Sequence, residues 1–141
     1  GRDVITSQDV NDICTVQTTG QIFEMIRALA EKNQKKALDL YYDLLSLKEP
    51  PMRILFLIAR QFNQLLLVKS LAAKGYDKAA IASRAKIAPF VAGRCMTQAR
   101  SFTTDQLKTA VQDCVQAEED VKTGKITDTL SVELLIMKYS K

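Results

Sequence analysis

The sequence predicts an all-α fold, a bundle of about seven or eight helices, on three observations. Apolar residues recur at three- and four-residue spacing along nearly the whole chain, and no stretch alternates with period two for long enough to make a strand. Gly totals 5 and Pro 3 in 141 residues, so loops must be few and short. One segment, Met52 to Ala73, is apolar on more than one face and reads as a central helix buried on several sides.

The elements follow in order. Ser7 can cap a short opening helix containing Val10 and Ile13, and Thr15 to Gly20 reads as a linker. From Gln21, the residues Ile22, Met25 or Ile26, Leu29 and Ala30 mark one face of a helix. Asn33 stops it and restarts the chain, and Ala37, Leu38, Tyr41, Leu44 and Leu45 repeat the pattern. The stretch Lys48-Glu49-Pro50-Pro51 ends that helix, because a residue before proline avoids the α region. Pro51 suits the first turn of the central helix, where a missing N–H is harmless. The polar positions of that helix, Arg53, Arg60, Gln61 and Gln64, form a narrow stripe, and Gly75 supplies its left-handed stop. Asp77 can cap a short helix to Arg84, Lys86 to Ala88 turn, and Pro89 opens a helix to about Arg100. Thr103 or Thr104 caps a longer helix with Leu107, Ala110 or Val111, Cys114 or Val115, and Glu118 in step, ended by Gly124. The last helix starts near Asp128 and carries Leu130, Leu134, Leu135 and Met137 as its apolar stripe.

Composition excludes several chemistries. There is no histidine, so a Ser-His-Asp or Cys-His centre and an imidazole zinc site cannot form within this chain. The glycines are dispersed, whereas a phosphate-cradling loop needs them clustered. Cys14, Cys95 and Cys114 have no metal or redox spacing and read as free buried thiols in a reducing cytosol. Glu118, Glu119 and Asp120 are the only carboxylate run, but consecutive helix positions point in different directions, so they read as a solvated face. No catalytic, metal or cofactor site is expected. The longest uninterrupted apolar run, Ile54 to Ala59, is far short of the ~20 residues that cross a bilayer. The chain opens without Met, in GRDVITSQDV, as a piece of a larger cytoplasmic protein would.

Charge is unevenly distributed. Residues 1–49 hold six Lys/Arg against eight Asp/Glu, residues 50–101 nine against Asp77 alone, and residues 102–141 five against seven. A middle of net +8 between ends of −2 suggests an anionic partner. Residues 77–100 also have a helix-turn-helix look, with Ala80, Ile81, Ile87, Val91 and Met96 as packing positions and Arg94, Gln98 and Arg100 as groove-facing ones. Against that, Phe90, Val91 and Ala92 at the start of the second helix read no base edges. Several aromatics fall on apolar stripes and suit core packing, while Tyr42 and Tyr76 fall off the stripes and are the first expected at the surface.

The landmarks IFEMIRALAEKNQKKALDLYYDLL, EPPMRILFLIARQFNQLLLVKSL, QARSF, AEEDVKTG and VELLIMKYS resemble, in order and spacing over about 120 residues, the C-terminal part of the bacterial DNA polymerase III delta subunit family. The most specific stretches run from Leu57 through Phe62 to Lys69, and from Asp120 to Gly124 followed by Glu133-Leu134-Leu135. The resemblance implies a clamp-loader component whose C-terminal domains join in a circular collar, while the loader opens the sliding clamp and places it on primed DNA. It implies that residues 1–14 end the AAA+ lid domain and that 15–141 form the helical collar domain. The family's clamp-contacting element lies in an N-terminal domain outside this chain, and its delta subunit has no working ATP site, so no catalytic residue is carried over. The expected partners are other clamp-loader subunits, held through the last two helices, and DNA, held without sequence preference. Lys69, Lys74, Lys78, Arg84, Lys86, Arg94 and Arg100 are the candidate phosphate contacts.

Overall fold

The computed structural model describes residues 20–140, which form seven helices and no strand. Helix α1 covers residues 20–30. It is followed by α2 (Gln34–Ser46), α3 (Pro51–Ala73), α4 (Lys78–Ala85), α5 (Pro89–Ala99), α6 (Thr104–Lys122) and α7 (Asp128–Tyr139). The expected Ser7 cap, most of the Thr15–Gly20 linker, the boundary at residue 14 and Cys14 lie outside the described residues. Gly20 itself is helical.

Local sequence sets each boundary. Asn33 caps α2, its side chain accepting from the Lys36 N–H at 3.2 Å. Pro50 is the N-cap of α3, and Pro51 sits at its first position. At the other end the Tyr76 N–H reaches back to Leu71 O and the Gly75 N–H to Ala72 O. That paired closure needs a left-handed residue, and Gly75 supplies φ +91°. Gly124, at φ +79°, closes α6 with the same two bonds, to Asp120 O from Lys125 and to Val121 O from itself. Asp77 caps α4 through the Ala80 N–H at 2.8 Å. Thr103 and Gln106 cap α6 reciprocally, each side chain accepting the other's backbone N–H, at 3.0 Å and 2.8 Å.

The bundle is built around α3. Two helix pairs pack against it, α4 with α5 and α6 with α7, and α2 lies against α7. Its buried side chains include Ile54, Leu55, Ile58, Phe62, Leu65 and Val68. The Phe62 ring meets the edge of Phe102 at 5.9 Å and lies 6.1 Å from Tyr139, so residues far apart in sequence share one aromatic cluster. At 23 residues, α3 is long and apolar enough to cross a membrane by length and composition, although charged and polar residues interrupt its apolar runs. Half of its most apolar window is buried inside the bundle, and packing against four helices accounts for that apolarity.

Three expectations about helix faces need correction. Gln61 does not belong to an outer polar stripe: it is 7% exposed, because its amide finds a buried partner across the α3–α5 contact. Phe56, expected inside, is 63% exposed on the outer side of α3, where Arg53 and Arg60 also face solvent. On α7 the core face is Ser131, Val132, Leu135 and Ile136, while Leu130 and Leu134 are 44% and 47% exposed. That helix is apolar nearly all round, so periodicity alone does not choose between two overlapping stripes.

Candidate interaction surfaces

The seven candidate cations have different surroundings. Lys69, half-buried on α3, donates to Ala99 O at 3.3 Å and ties α3 to the end of α5. Lys69 and Lys74 line a shallow cleft of about 510 Å³ with Thr104. Arg84 lies over the Tyr76 ring, 4.3 Å from its centroid. That contact helps explain why Tyr76, expected at the surface, is only partly exposed. Lys86 sits at the left-handed turn after α4, with φ 59°, and Arg100 closes α5. Both are exposed, as is Lys74.

Lys78 and Arg94 meet over a larger groove, about 660 Å³, between α1 and α5. Its apolar floor includes Phe23, Ala30, Phe90 and Gly93. Gly93 has a specific use here: a Cβ at that position would stand 3.2 Å from Lys78 Cδ, so glycine lets the lysine stem lie across α5. The Arg94 guanidinium lies 4.1 Å from the Phe23 ring centroid and 5.7 Å from that of Phe90. Phe90 itself is 71% exposed and so is not among the aromatics that core packing accounts for. On α1, Arg27 pairs with Glu24 and Glu31 at 3.8 and 3.9 Å.

The helix-turn-helix residues resolve differently from expectation. Gln98 is buried, accepting from Gln61 Nε2 at 2.9 Å and donating to Phe23 O at 3.1 Å. It therefore cannot read a base edge, and Arg94 beside it is held against Phe23. The amide chain links α3, α5 and α1 and so shapes the groove from below.

Among the described residues no group of three or more His, Cys, Asp and Glu is arranged to hold a metal. In the carboxylate run, Glu118 pairs with Lys122 at 2.8 Å and Asp120 accepts from Gln116 at 2.9 Å, both along the α6 surface. Cys95 and Cys114 are free and buried. Burial pushes the Cys95 thiol up, and burial with the neighbouring Asp113 charge pushes Cys114 up to about 12. Neither is a poised nucleophile. Asp113 accepts hydrogen bonds from Tyr139 Oη and, at 2.9 Å, from Lys138 Nζ. Burial alone would raise its carboxyl, but these two donors outweigh burial and hold it below the usual range.

A further surface feature is the outward face of α7. Leu130, Leu134 and Met137 recur at i, i+4 and i+7 on the side away from Ser131, Val132, Leu135 and Ile136. The sequence pointed to these residues as apolar positions of the last helix without separating inner from outer ones; the apolarity of α7 on both faces is the signal that could have done so.

Comparison with known proteins decides the family. The sequence profile of the DNA polymerase III delta subunit, C-terminal domain, matches residues 19–139. The chain belongs to this family. The chain is 33% identical over 140 residues to the Bacillus subtilis (strain 168) DNA polymerase III subunit delta, covering 99% of this chain and 40% of that protein. A solved Bacillus subtilis DNA clamp loader delta protein superposes with a TM-score of 0.83 at 32% identity, over 87% of this chain and 36% of that one. The chain thus spans about two fifths of the length of the curated relative. The stretches that carried the resemblance serve packing: Leu57, Ile58, Gln61 and Phe62 are buried in α3, and Gly124 closes α6.

Proposed function

We propose that this delta C-terminal domain is a non-catalytic association module, which joins other clamp-loader subunits in a helical collar. In this reading residues 15–141 are the collar domain and residues 1–14 the end of the AAA+ lid. The loader to which it belongs works in the bacterial cytoplasm and places the sliding clamp on primed DNA. Contact with the clamp falls to an N-terminal domain outside this chain.

The observation that carries the reading is the second apolar stripe of α7. A helix that buries one face against α2, α3 and α6 and still presents Leu130, Leu134 and Met137 outward has two surfaces to cover. The test is co-purification of the chain with the other clamp-loader subunits of its source. Capture by the unaltered chain, and its loss with Leu130→Asp and Leu134→Asp, is the expected result. Undiminished capture by the double variant excludes this face.

Non-specific DNA contact is a second role, supported by the net charge of the middle segment. Lys74, Lys86 and Arg100 are exposed members of the candidate set that do not line the α1–α5 groove. Replacing all three by Glu in the assembled loader should lower the salt slope of DNA binding by about one unit for each phosphate no longer neutralised. An unchanged slope removes these residues from the interface.

A further inference from the structure

We propose that the groove between α1 and α5 captures an acidic peptide segment through a carboxylate clamp and one apolar anchor. The proposal stands on the groove alone and does not depend on the collar reading.

The two walls differ in charge. On the α4–α5 side stand Lys78 and Arg94, and no described carboxylate pairs with either. Arg94 is already fixed against the Phe23 ring, so ordering its guanidinium on binding loses little further freedom. Its N–H groups are suited to a carboxylate, which a planar guanidinium binds with two parallel bonds. On the α1 side Glu24 and Glu31 are loosely neutralised by Arg27, and Glu24 also by Lys36 at 3.9 Å. That wall neither attracts nor strongly repels a single carboxylate placed opposite it.

The floor supplies the anchor site. Phe90, exposed on the first turn of α5, and Phe23 are the aromatic surfaces, and aromatic and arginine side chains dominate the energetics of such contacts. Gly93 lets the Lys78 stem lie across α5, which brings its ammonium to the same groove as the two rings. A single-stranded nucleic acid could stack on Phe90, but its continuous phosphate backbone would run past Glu24 and Glu31. Discrete carboxylates can be spaced to face Lys78 and Arg94 only. Charge complementarity therefore favours a peptide. Helix α1 is about 16 Å long, so the groove takes about five extended residues or three helical turns.

The experiment measures fluorescence anisotropy of the 141-residue chain with labelled probes of about twelve residues, enough for three helical turns. The probes are a peptide of Asp and Glu flanking one Leu and one Phe, its Asn/Gln counterpart, its Lys counterpart, and an oligothymidylate of equal length. The expected result is saturable binding of the acidic peptide, weakened about tenfold or more in the Asn/Gln probe and abolished in the Lys probe. Phe90→Ala and Lys78→Glu should each weaken it by about fivefold or more, while Lys125→Glu, on the loop after α6, should leave it unchanged. Phe90 and Lys78 are both exposed, so the variants keep the fold, which unchanged melting temperatures verify. Equal binding of acidic and neutral peptides, indifference to Phe90→Ala and Lys78→Glu, or tighter binding of the oligothymidylate through these two residues would overturn the proposal.

Discussion

Gln61 shows how a single polar residue can sit in a core without penalty. Its amide donates to Gln98, and Gln98 donates onward to Phe23 O, so each buried donor has an acceptor. Removing Gln98 leaves the buried Gln61 amide with only a long contact to Cys95 Sγ at 4.0 Å. Gln98→Ala should therefore lose about 1–3 kcal/mol of stability by urea unfolding. Replacing both by Leu should cost less than the sum of the single replacements, and strict additivity would show that the pair is not coupled. Cys95 and Cys114 are raised thiols in apolar surroundings, so native protein should resist alkylation at pH 7 and react at both positions once unfolded, as mass spectrometry would report. Asp113 supplies a pH test. Its carboxyl is held below the unfolded value of about 4, so its contribution is present in full above that pH and is lost as pH falls through the folded value. The stability gap between the parent and Asp113→Asn should be open at neutral pH and narrow as pH falls below about 4. A gap independent of pH would mean that Tyr139 and Lys138 do not favour the ionised form.

At the scale of the element, the sequence was legible to within a residue or two. Asn33, Pro51, Asp77, Pro89 and Thr103 each mark a start, and Gly75 and Gly124 each mark a stop, because capping is a local matter of one side chain or one φ value. The consequences are local too. Space around a Cβ at Gly75 is open, so Gly75→Ala should cost only the left-handed backbone, about 1–2 kcal/mol. Thr103→Ala, which removes half of the reciprocal cap on α6, should cost about 1 kcal/mol. Thermal melts of the two variants measure both. A neutral Gly75→Ala would mean that the turn relaxes to a different closure.

For the whole molecule, the consequential surface is the one left over after packing. Leu130→Asp with Leu134→Asp changes residues that are 44% and 47% exposed, so the melting temperature should hold within a few degrees while association with partner subunits fails. A large drop in melting temperature would instead place these leucines in the support of the fold. Phe62→Ala makes the contrast: emptying the cluster with Phe102 and Tyr139 should cost about 3–5 kcal/mol and leave the outward stripe chemically unchanged.

The sequence by itself determined the helical class, the order and ends of the described helices, the central place of α3 and the family. All of these rest on spacing, caps and punctuation, which act over a few residues. It also excluded histidine chemistry outright. Only the tertiary structure decided which faces are covered. Gln61 is inside because Gln98 meets it, Phe56 and Phe90 are outside because no other described helix covers them, and one of two apolar stripes on α7 was taken by Val132 and Ile136. It also separated seven basic residues, equal in the sequence, into a bridging lysine, an arginine on Tyr76, a few exposed cations and the pair above the α1–α5 groove. The physical reason is the same throughout: helical periodicity states that a face can be buried, but the neighbour that buries it comes from elsewhere in the chain.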